Sequence, residues 1–261
     1  LIASDLDGTL LRSDGTLDRR SRDALAAAET AGAVVVICTA RPSRWVAPLA
    51  QATGHRGVAI CANGAVLCDL HSEKVVEEFP LEPVVARQVV SLLQAAVPGG
   101  AWAVERAEGF GHEPEYAPRW PVPADTVVDA VEGLVAEPAV KLMLRHQDFL
   151  ADALLERARE VVGHLAELSH SNSADGLLEI SAAGVSKASA LARVCKERGI
   201  DRSEVMAFGD MPNDLPMLEW AGYSVAVANA HPEVLAVADE VTASNDDAGV
   251  ARVLERLFAS G

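Results

Sequence analysis

Positive charge is in short supply: 22 Lys and Arg stand against 38 Asp and Glu, a formal net charge of −16 at pH 7 over 261 residues. So acidic a chain repels phosphodiester backbones and anionic lipid headgroups, so neither nucleic acid nor a membrane surface is an expected partner. Cysteine is sparse too. Cys38, Cys61, Cys68 and Cys195 lie in or beside apolar runs with no CxxC spacing, and they read as reduced, packed thiols of a cytosolic protein. No stretch reaches the ~20 apolar residues of a membrane span, and the first residues lack a basic segment ahead of a long apolar one. No GxGxxG follows the first apolar run, which disfavours a dinucleotide oxidoreductase. There is no internal repeat and no low-complexity tract. A cytoplasmic, soluble protein is expected, with nothing to indicate its oligomeric state. The chain opens on Leu1 rather than Met, so a few residues are expected ahead of it.

What is present is a 50% hydrophobic composition, ample for one large domain or two modest ones. Apolar strand-like runs alternate with helical ones at the start: Leu1–Ser4, a helix around Asp18–Ala31 closed by Gly32, the apolar run Ala33–Cys38, and a short helix over Ser43–Thr53 after the break at Arg41-Pro42. Val58–Cys61 ends at the turn dipeptide Asn63-Gly64 and leads into Ala65–Cys68. Between Leu81 and Gly184 the texture changes to helices at Val84–Ala96 and Phe149–Val162 among strands near Ala101–Glu105, Val140–Arg145, Glu167–Ser171 and Leu177–Ile180. From Ser186 the alternation resumes, with a helix to Arg198, strands Val205–Phe208, Ser224–Val227 and Glu240–Thr242, and helices Asn213–Trp220, Pro232–Ala236 and Ala248–Phe258. The expectation is an α/β fold: a doubly wound, mainly parallel Rossmann-like sheet built from residues 1–80 and 185–261, with an α+β module inserted at 81–184. Within that module, Pro98–Asp125 is expected to be irregular, and its Trp102, Phe110, Tyr116 and Trp120 are expected to form a small core.

Four separated fragments carry chemistry: Asp5-Leu6-Asp7-Gly8-Thr9, Thr39, Lys187 and Gly209-Asp210-Met211-Pro212-Asn213-Asp214. The two acidic ones directly follow apolar runs, so their carboxylates are expected at strand ends, where ligands bind in open α/β sheets. In an extended strand, residues two apart project to the same side about 6.6 Å apart, so Asp5 and Asp7 can flank one phosphoryl group or share one cation. A carboxylate can attack phosphorus and form an aspartyl phosphate, splitting one hard displacement into two easier ones. So many anions, with Asp210 added, call for a counter-charge, and Mg²⁺ suits hard oxygens, water and phosphate. Lys187 supplies a point charge and Thr39 a hydroxyl and a backbone N–H for the remaining phosphate oxygens. Taken singly, each fragment has an ordinary structural reading: a solvated turn, a helix cap, a surface lysine, an acidic residue at a helix N-terminus. Their joint occurrence and order point to phosphoryl transfer.

With these residues in place, the chain resembles the haloacid dehalogenase superfamily, specifically Cof-like phosphatases with a type-IIB cap. The resemblance covers nearly the whole length. It rests on Asp5–Leu11, Ile37-Cys38-Thr39-Ala40-Arg41, Gly184-Val185-Ser186-Lys187 and Gly209–Asp214, supported by Cys61–Ala65, Asn229-Ala230 with Pro232-Glu233, and Thr242–Asn245 with Gly249-Val250. It implies that Asp5 is the nucleophile and that Asp7 protonates the leaving oxygen and then activates water. It further implies Mg²⁺ held by Asp5, the backbone carbonyl of Asp7 and Asp210, with Asp214 and Asn213 supporting. Gly8, Thr9, Thr39, Ala40, Arg41, Asn63, Lys187 and Asn213 would form the phosphate- and substrate-binding set. Two positions depart from the family pattern: Ala40 stands where Gly is usual, and Met211 where Asn or Ser is common. Neither removes a functional group.

The implied activity is Mg²⁺-dependent hydrolysis of small phosphorylated metabolites such as sugar phosphates, with the inserted cap gripping the leaving group and closing to exclude water. Glu105, Arg106, His112, Lys141 and Glu179 are polar candidates for that grip. A phosphomutase using the same aspartyl phosphate is the nearest rival. A receiver-type phosphorylation switch has a different motif order and no large insertion, and a silent binding protein would not need the full polar set.

Overall fold

The computed structural model describes residues 1–46 and 57–258. These fall into two compact units, one formed by residues 1–76 and 186–261 and the other by 77–185. The helix expected over Ser43–Thr53 runs into residues 47–56 and so lies largely outside the described residues. No described helix is long and apolar enough to cross a membrane.

The first unit is built on β1 (Ile2–Ser4), β2 (Val35–Cys38), β3 (Val58–Cys61), β4 (Val66–Asp69), β5 (Lys74–Glu78, whose last two residues open the second unit), β12 (Met206–Gly209), β13 (Tyr223–Ala226) and β14 (Glu240–Val241). They form one sheet in the order β14-β13-β12-β1-β2-β3-β4-β5. β1 pairs in parallel with β12 on one side and β2 on the other, with Ser4 opposite both Phe208 and Ile37. The chain therefore leaves β1 toward β2 and later returns on the opposite side at β12, which makes the end of β1 the topological switch point. Every residue of β1 and β2 is buried. Strands covered on both faces read as unbroken apolar runs, which is why they are visible in the sequence.

Helix α1 (Arg19–Thr30) starts where Asp18 accepts a hydrogen bond from the Ser21 N–H, and it buries Ala24 and Ala28. The helix that follows the second unit, α5 (Lys187–Arg198), is closed at one end by a reciprocal Ser186–Ser189 cap and at the other by Gly199 in the left-handed region. It matters because Lys187 is its first residue. A lysine at a helix N-terminus opposes the helix dipole, so nearby anions must hold it there.

β3 and β4 form an antiparallel hairpin, and its tip explains the Asn63-Gly64 pair: φ is 57° at Asn63 and 105° at Gly64. Gly64 also lies so close to α5 that a β-carbon there would come 2.1 Å from the Ser186 carbonyl oxygen. Gly64→Ala is therefore expected to push the start of α5, and with it Lys187, out of place. A loss of at least about 2 kcal/mol is expected from the backbone conformation alone, read as a lower Tm together with lower turnover. An unchanged Tm would show that the contact is slack.

In the second unit β6 (Ala101–Arg106), β7 (Gly109–His112), β8 (Val127–Val128), β9 (Lys141–Arg145), β10 (Ala166–Ser169) and β11 (Leu177–Ala182) form a sheet in the order β10-β11-β9-β6-β7-β8. One of its faces packs Trp102, Val104, Leu142, Leu144, Leu178 and Ile180 against α2 (Pro83–Ala96) and α4 (Ala151–Val162). The opposite face holds a small cluster of Ala103, Phe110, Tyr116 and Met143.

Two expectations need correction. The stretch Pro98–Asp125 is not irregular throughout, because Gly109–His112 forms β7 and pairs with β6. Gly-Phe-Gly-His has too little β-branched character to read as a strand by itself. The four aromatics do not share one core: Trp102 is buried among the helices, Phe110 and Tyr116 sit on the other face, and Trp120 is 67% exposed. Strand β5, the two-residue edge strand β8 and a one-turn helix α3 (Val131–Leu134) also had no signal in the sequence. The short helices α6 (Leu215–Trp220) and α7 (Pro232–Val237) and the final α8 (Gly249–Phe258) complete the first unit. All four cysteines are buried thiols outside any disulfide.

Candidate active site

Because β12, β1 and β2 are parallel neighbours, the residues after their last positions meet at one edge of the sheet. Asp5 follows β1, Thr39 follows β2 and Asp210 follows β12. Lys187 reaches this edge from α5. It is fully buried, and its Nζ donates to Asp5 Oδ1 and to Asp214 Oδ1, each at 2.6 Å. Ligand oxygens of Asp5, Asp210 and Asp214 all lie within 4.8 Å of one another.

Asp214 also accepts from the backbone N–H groups of Asp210 (3.0 Å) and Met211 (3.1 Å) through Oδ2. It therefore ties its own loop to α5, and most of its acceptor capacity is taken. Asp210 accepts from the Thr9 hydroxyl at 2.7 Å through Oδ1. Oδ2 of Asp5 and Oδ2 of Asp210 make no hydrogen bond among the described residues. Gly8 makes room for the second of these, because a β-carbon there would sit 2.3 Å from Asp210 Oδ2.

Electrostatics decides what this cluster needs. Burial pushes the Asp5 carboxyl well above its ordinary range; Lys187 pulls it back, and Asp214, Asp210 and Asp7 raise it further. Burial, then the Asp214 charge, push Asp210 up to about 7. Burial opposes the Lys187 charge, yet Asp214 and Asp5 hold its ammonium above the usual value. One ammonium cannot neutralise three buried carboxylates. A divalent cation fits that deficit and the two free carboxylate oxygens. Asn213 Oδ1, beside the cluster, is likewise buried without a hydrogen-bond partner among the described residues.

The geometry of the Asp-x-Asp pair differs from the extended-strand expectation. Strand β1 ends at Ser4, and a turn occupies residues 6–10, so Asp5 and Asp7 are not consecutive same-side positions of one strand. Asp5 is buried with Lys187, whereas the Asp7 side chain is 55% exposed and pairs with Arg41 at 2.6 Å. That pairing holds the Arg41 guanidinium above its ordinary value.

The loops are tied together through polar side chains. Thr39 Oγ1 accepts from the Arg41 N–H at 3.1 Å, and the Thr39 carbonyl accepts from the Asn63 N–H at 3.0 Å. Asn213 Nδ2 then donates to Asn63 Oδ1 at 3.0 Å. Thr39, Asn63 and Asn213 thus form one chain across the edge of the sheet, and the Thr39 hydroxyl proton is left for another acceptor. Ala40 lies half-buried between Thr39 and Arg41.

Two asparagines had no role assigned from the sequence. Asn229 Nδ2 donates to the Gly8 carbonyl at 2.8 Å, Asn245 Nδ2 donates to the Leu11 carbonyl at 2.9 Å, and the Asn245 N–H donates to Asn229 Oδ1. Together they pin the loop that carries Asp7, Gly8 and Thr9. Both lie in segments that support the family resemblance, and each follows a short strand of the same sheet, but neither signal disclosed what the side chain holds.

In the second unit, Glu105 and Lys141 face each other across β6 and β9, and Lys141 Nζ donates to Glu179 Oε1 at 2.5 Å in a buried pair. His112 Nδ1 lies 2.7 Å from the Glu113 carbonyl, and Arg106 donates to the Leu134 carbonyl. Glu105, Lys141 and Glu179 therefore share one face of that sheet, while Arg106, the last residue of β6, is taken up by the Leu134 carbonyl.

Set beside known proteins, the chain matches the family model of haloacid dehalogenase-like hydrolases over residues 2–254. It is 32% identical over 266 residues to pyridoxal phosphate phosphatase YbhA of Escherichia coli (strain K12), with 97% of each chain covered. It is 28% identical over 296 residues to 5-amino-6-(5-phospho-D-ribitylamino)uracil phosphatase YwtE of Bacillus subtilis (strain 168), covering 99% of this chain and 98% of that one. Among solved structures, a haloacid dehalogenase-like hydrolase from B. subtilis superposes with a TM-score of 0.84 over 98% of this chain and 99% of the other, at 26% identity.

Proposed function

The chain belongs to the haloacid dehalogenase-like hydrolases and is a phosphoric monoester hydrolase, and we propose that it hydrolyses small phosphorylated metabolites, sugar phosphates among them, through a phosphoryl group carried on Asp5. The observation that carries this reading is the Lys187 bridge between Asp5 and Asp214 with Asp210 beside it. It aims one buried carboxylate into a site with a fixed cation and two uncommitted acceptor oxygens.

In the first half, an Asp5 oxygen forms a bond to phosphorus as the ester P–O bond breaks, and Asp7 gives its proton to the departing oxygen. In the second half, a water oxygen attacks the same phosphorus, the Asp5–P bond breaks, and Asp7 takes a proton from that water. Lys187 and the Thr39 hydroxyl neutralise charge on the non-bridging oxygens. Asp5, Asp210 and the Asp7 carbonyl would hold Mg²⁺, with Asp214 and Asn213 supporting, and the ion would supply Lewis-acid stabilisation of the phosphoryl oxygens. The module at 81–184 is the cap that selects the leaving group.

The test is phosphate release from p-nitrophenyl phosphate and a panel of sugar phosphates, ranked by kcat/KM. EDTA is expected to lower turnover at least roughly a hundredfold, with Mg²⁺ restoring it. Binding should also show as a shift in Tm. In the folded state Asp210 is protonated up to about pH 7, whereas in the unfolded chain it ionises near its ordinary value. The metal-free fold therefore loses stability from this group as pH rises between those two values. A cation must displace that proton below pH 7 and not above it, so Mg²⁺ should raise Tm more at pH 8 than at pH 5. Equal shifts at both values, or EDTA-insensitive turnover, would rule out a metal at these carboxylates.

A further inference from the structure

Arg41 lies in the segment expected to bind phosphate, but among the described residues every hydrogen bond from its guanidinium goes to Asp7: Nε to Oδ2 at 2.7 Å and Nη2 to Oδ1 at 2.6 Å. Two parallel bonds from a planar fork fix the position and the plane of a carboxylate, which a single ammonium contact does not do. The rest of the residue is anchored. Its N–H is held by Thr39 Oγ1, its carbonyl accepts from the Ala62 N–H at 2.9 Å, and its side chain is 25% exposed. A pair with one partner pinned in this way differs from a solvated ion pair between two mobile side chains, which is worth little. Asp7 itself sits on a turn with a 55% exposed side chain, and nothing else in the hydrogen-bonding of the described residues restrains its carboxylate.

We infer that Arg41 is a positioning residue for Asp7: it acts on the proton transfers through the Asp7 carboxylate and not on the phosphoryl group. The inference rests on the reading of Asp7 as the group that protonates the leaving oxygen and deprotonates the attacking water. Each Asp7 oxygen accepts one bond from the fork and keeps a second acceptor site, so the grip sets the direction of the carboxylate without occupying the sites a proton needs. The loop after β2 would then do two jobs from adjacent positions, Thr39 on the phosphoryl oxygens and Arg41 on the proton carrier.

The consequence is dependence on the leaving group. An alkyl phosphate expels an alkoxide and needs the proton; p-nitrophenyl phosphate expels a stable phenolate and needs it far less. General acid catalysis contributes roughly 10²–10⁴-fold, and Arg41→Lys, which keeps the charge but loses the fork, should forfeit part of that. The experiment measures kcat/KM for a sugar phosphate and for p-nitrophenyl phosphate with Arg41→Lys, Asp7→Asn and the double variant, together with Tm and inhibition by inorganic phosphate. The expected result is a shift of at least about tenfold in the ratio of the two kcat/KM values toward the aryl ester. On kcat for the aryl ester, Arg41→Lys should add no further loss once Asp7→Asn is present.

Equal losses on both esters with weaker inhibition by phosphate would make Arg41 a phosphate ligand and overturn the inference. Equal losses with a lowered Tm and full additivity in the double variant would make it structural and overturn it as well. Wild-type turnover in Asp5→Asn, measured alongside, would instead overturn the underlying reaction.

Discussion

Changing Asp5 to Asn is expected to lower phosphate release by at least roughly 10⁴-fold, the scale on which an enzyme loses its nucleophile. The side chain keeps its size, and Lys187 keeps a carbonyl oxygen to donate to in place of Asp5 Oδ1, so the fold should survive. An amide oxygen does not displace an alkoxide from phosphorus. Acid-quenched wild-type enzyme should carry phosphate on the protein during turnover, and the variant should carry none. Turnover retained in the variant, or a phosphoenzyme labelled elsewhere, would defeat the assignment.

The second large effect is Lys187→Met. Lys187 is completely buried and contacts two carboxylates at 2.6 Å. Methionine fills a similar volume but leaves Asp5 and Asp214 without their shared cation. Breaking a buried ion pair by removing one partner typically destabilises by about 3–5 kcal/mol, on the order of 10 °C in Tm for a chain of this size. The carboxyl of Asp5 is already raised by burial and by its acidic neighbours, and the Lys187 charge is the main influence that lowers it. Without the lysine its folded value rises further above the unfolded one, so protonation in the folded state is favoured as pH falls. The stability deficit should therefore be larger at pH 8 than at pH 5. A variant as stable as wild type at pH 8 would show that the buried charges are compensated by something other than Lys187.

The two predictions separate chemistry from architecture, and so do the limits of what the residues disclosed in advance. Val35–Cys38 and Ile2–Ser4 were legible as strands because burial on both faces leaves no charged residue to interrupt the run. Gly109–His112 was not, because its strand character comes from pairing with β6 rather than from its own side chains. Asp5 and Asp7 were expected on one side of a single extended strand, but the turn at residues 6–10 gives one to Lys187 and the other to Arg41. Taken without the other motifs, Lys187 on its helix reads as a surface lysine, since the Asp5 and Asp214 carboxylates it contacts lie 182 and 27 positions away. Asn229 and Asn245 carried less signal still. An asparagine side chain means what its neighbour makes it mean, and the carbonyls they hold lie 221 and 234 positions earlier.

From sequence alone came the acidic balance, the alternating elements of an α/β fold with an α+β insertion, and a set of polar residues of the kind phosphoryl transfer requires. All of these are properties of composition, local periodicity and motif order, which a linear chain carries whether or not it is folded. Only the folded molecule decided which carboxylate is buried, which one faces a guanidinium, and how little positive charge lies among three acids. Those are consequences of parallel pairing among β12, β1 and β2, which carries distant loops to one edge of the sheet and removes the water that would otherwise screen them.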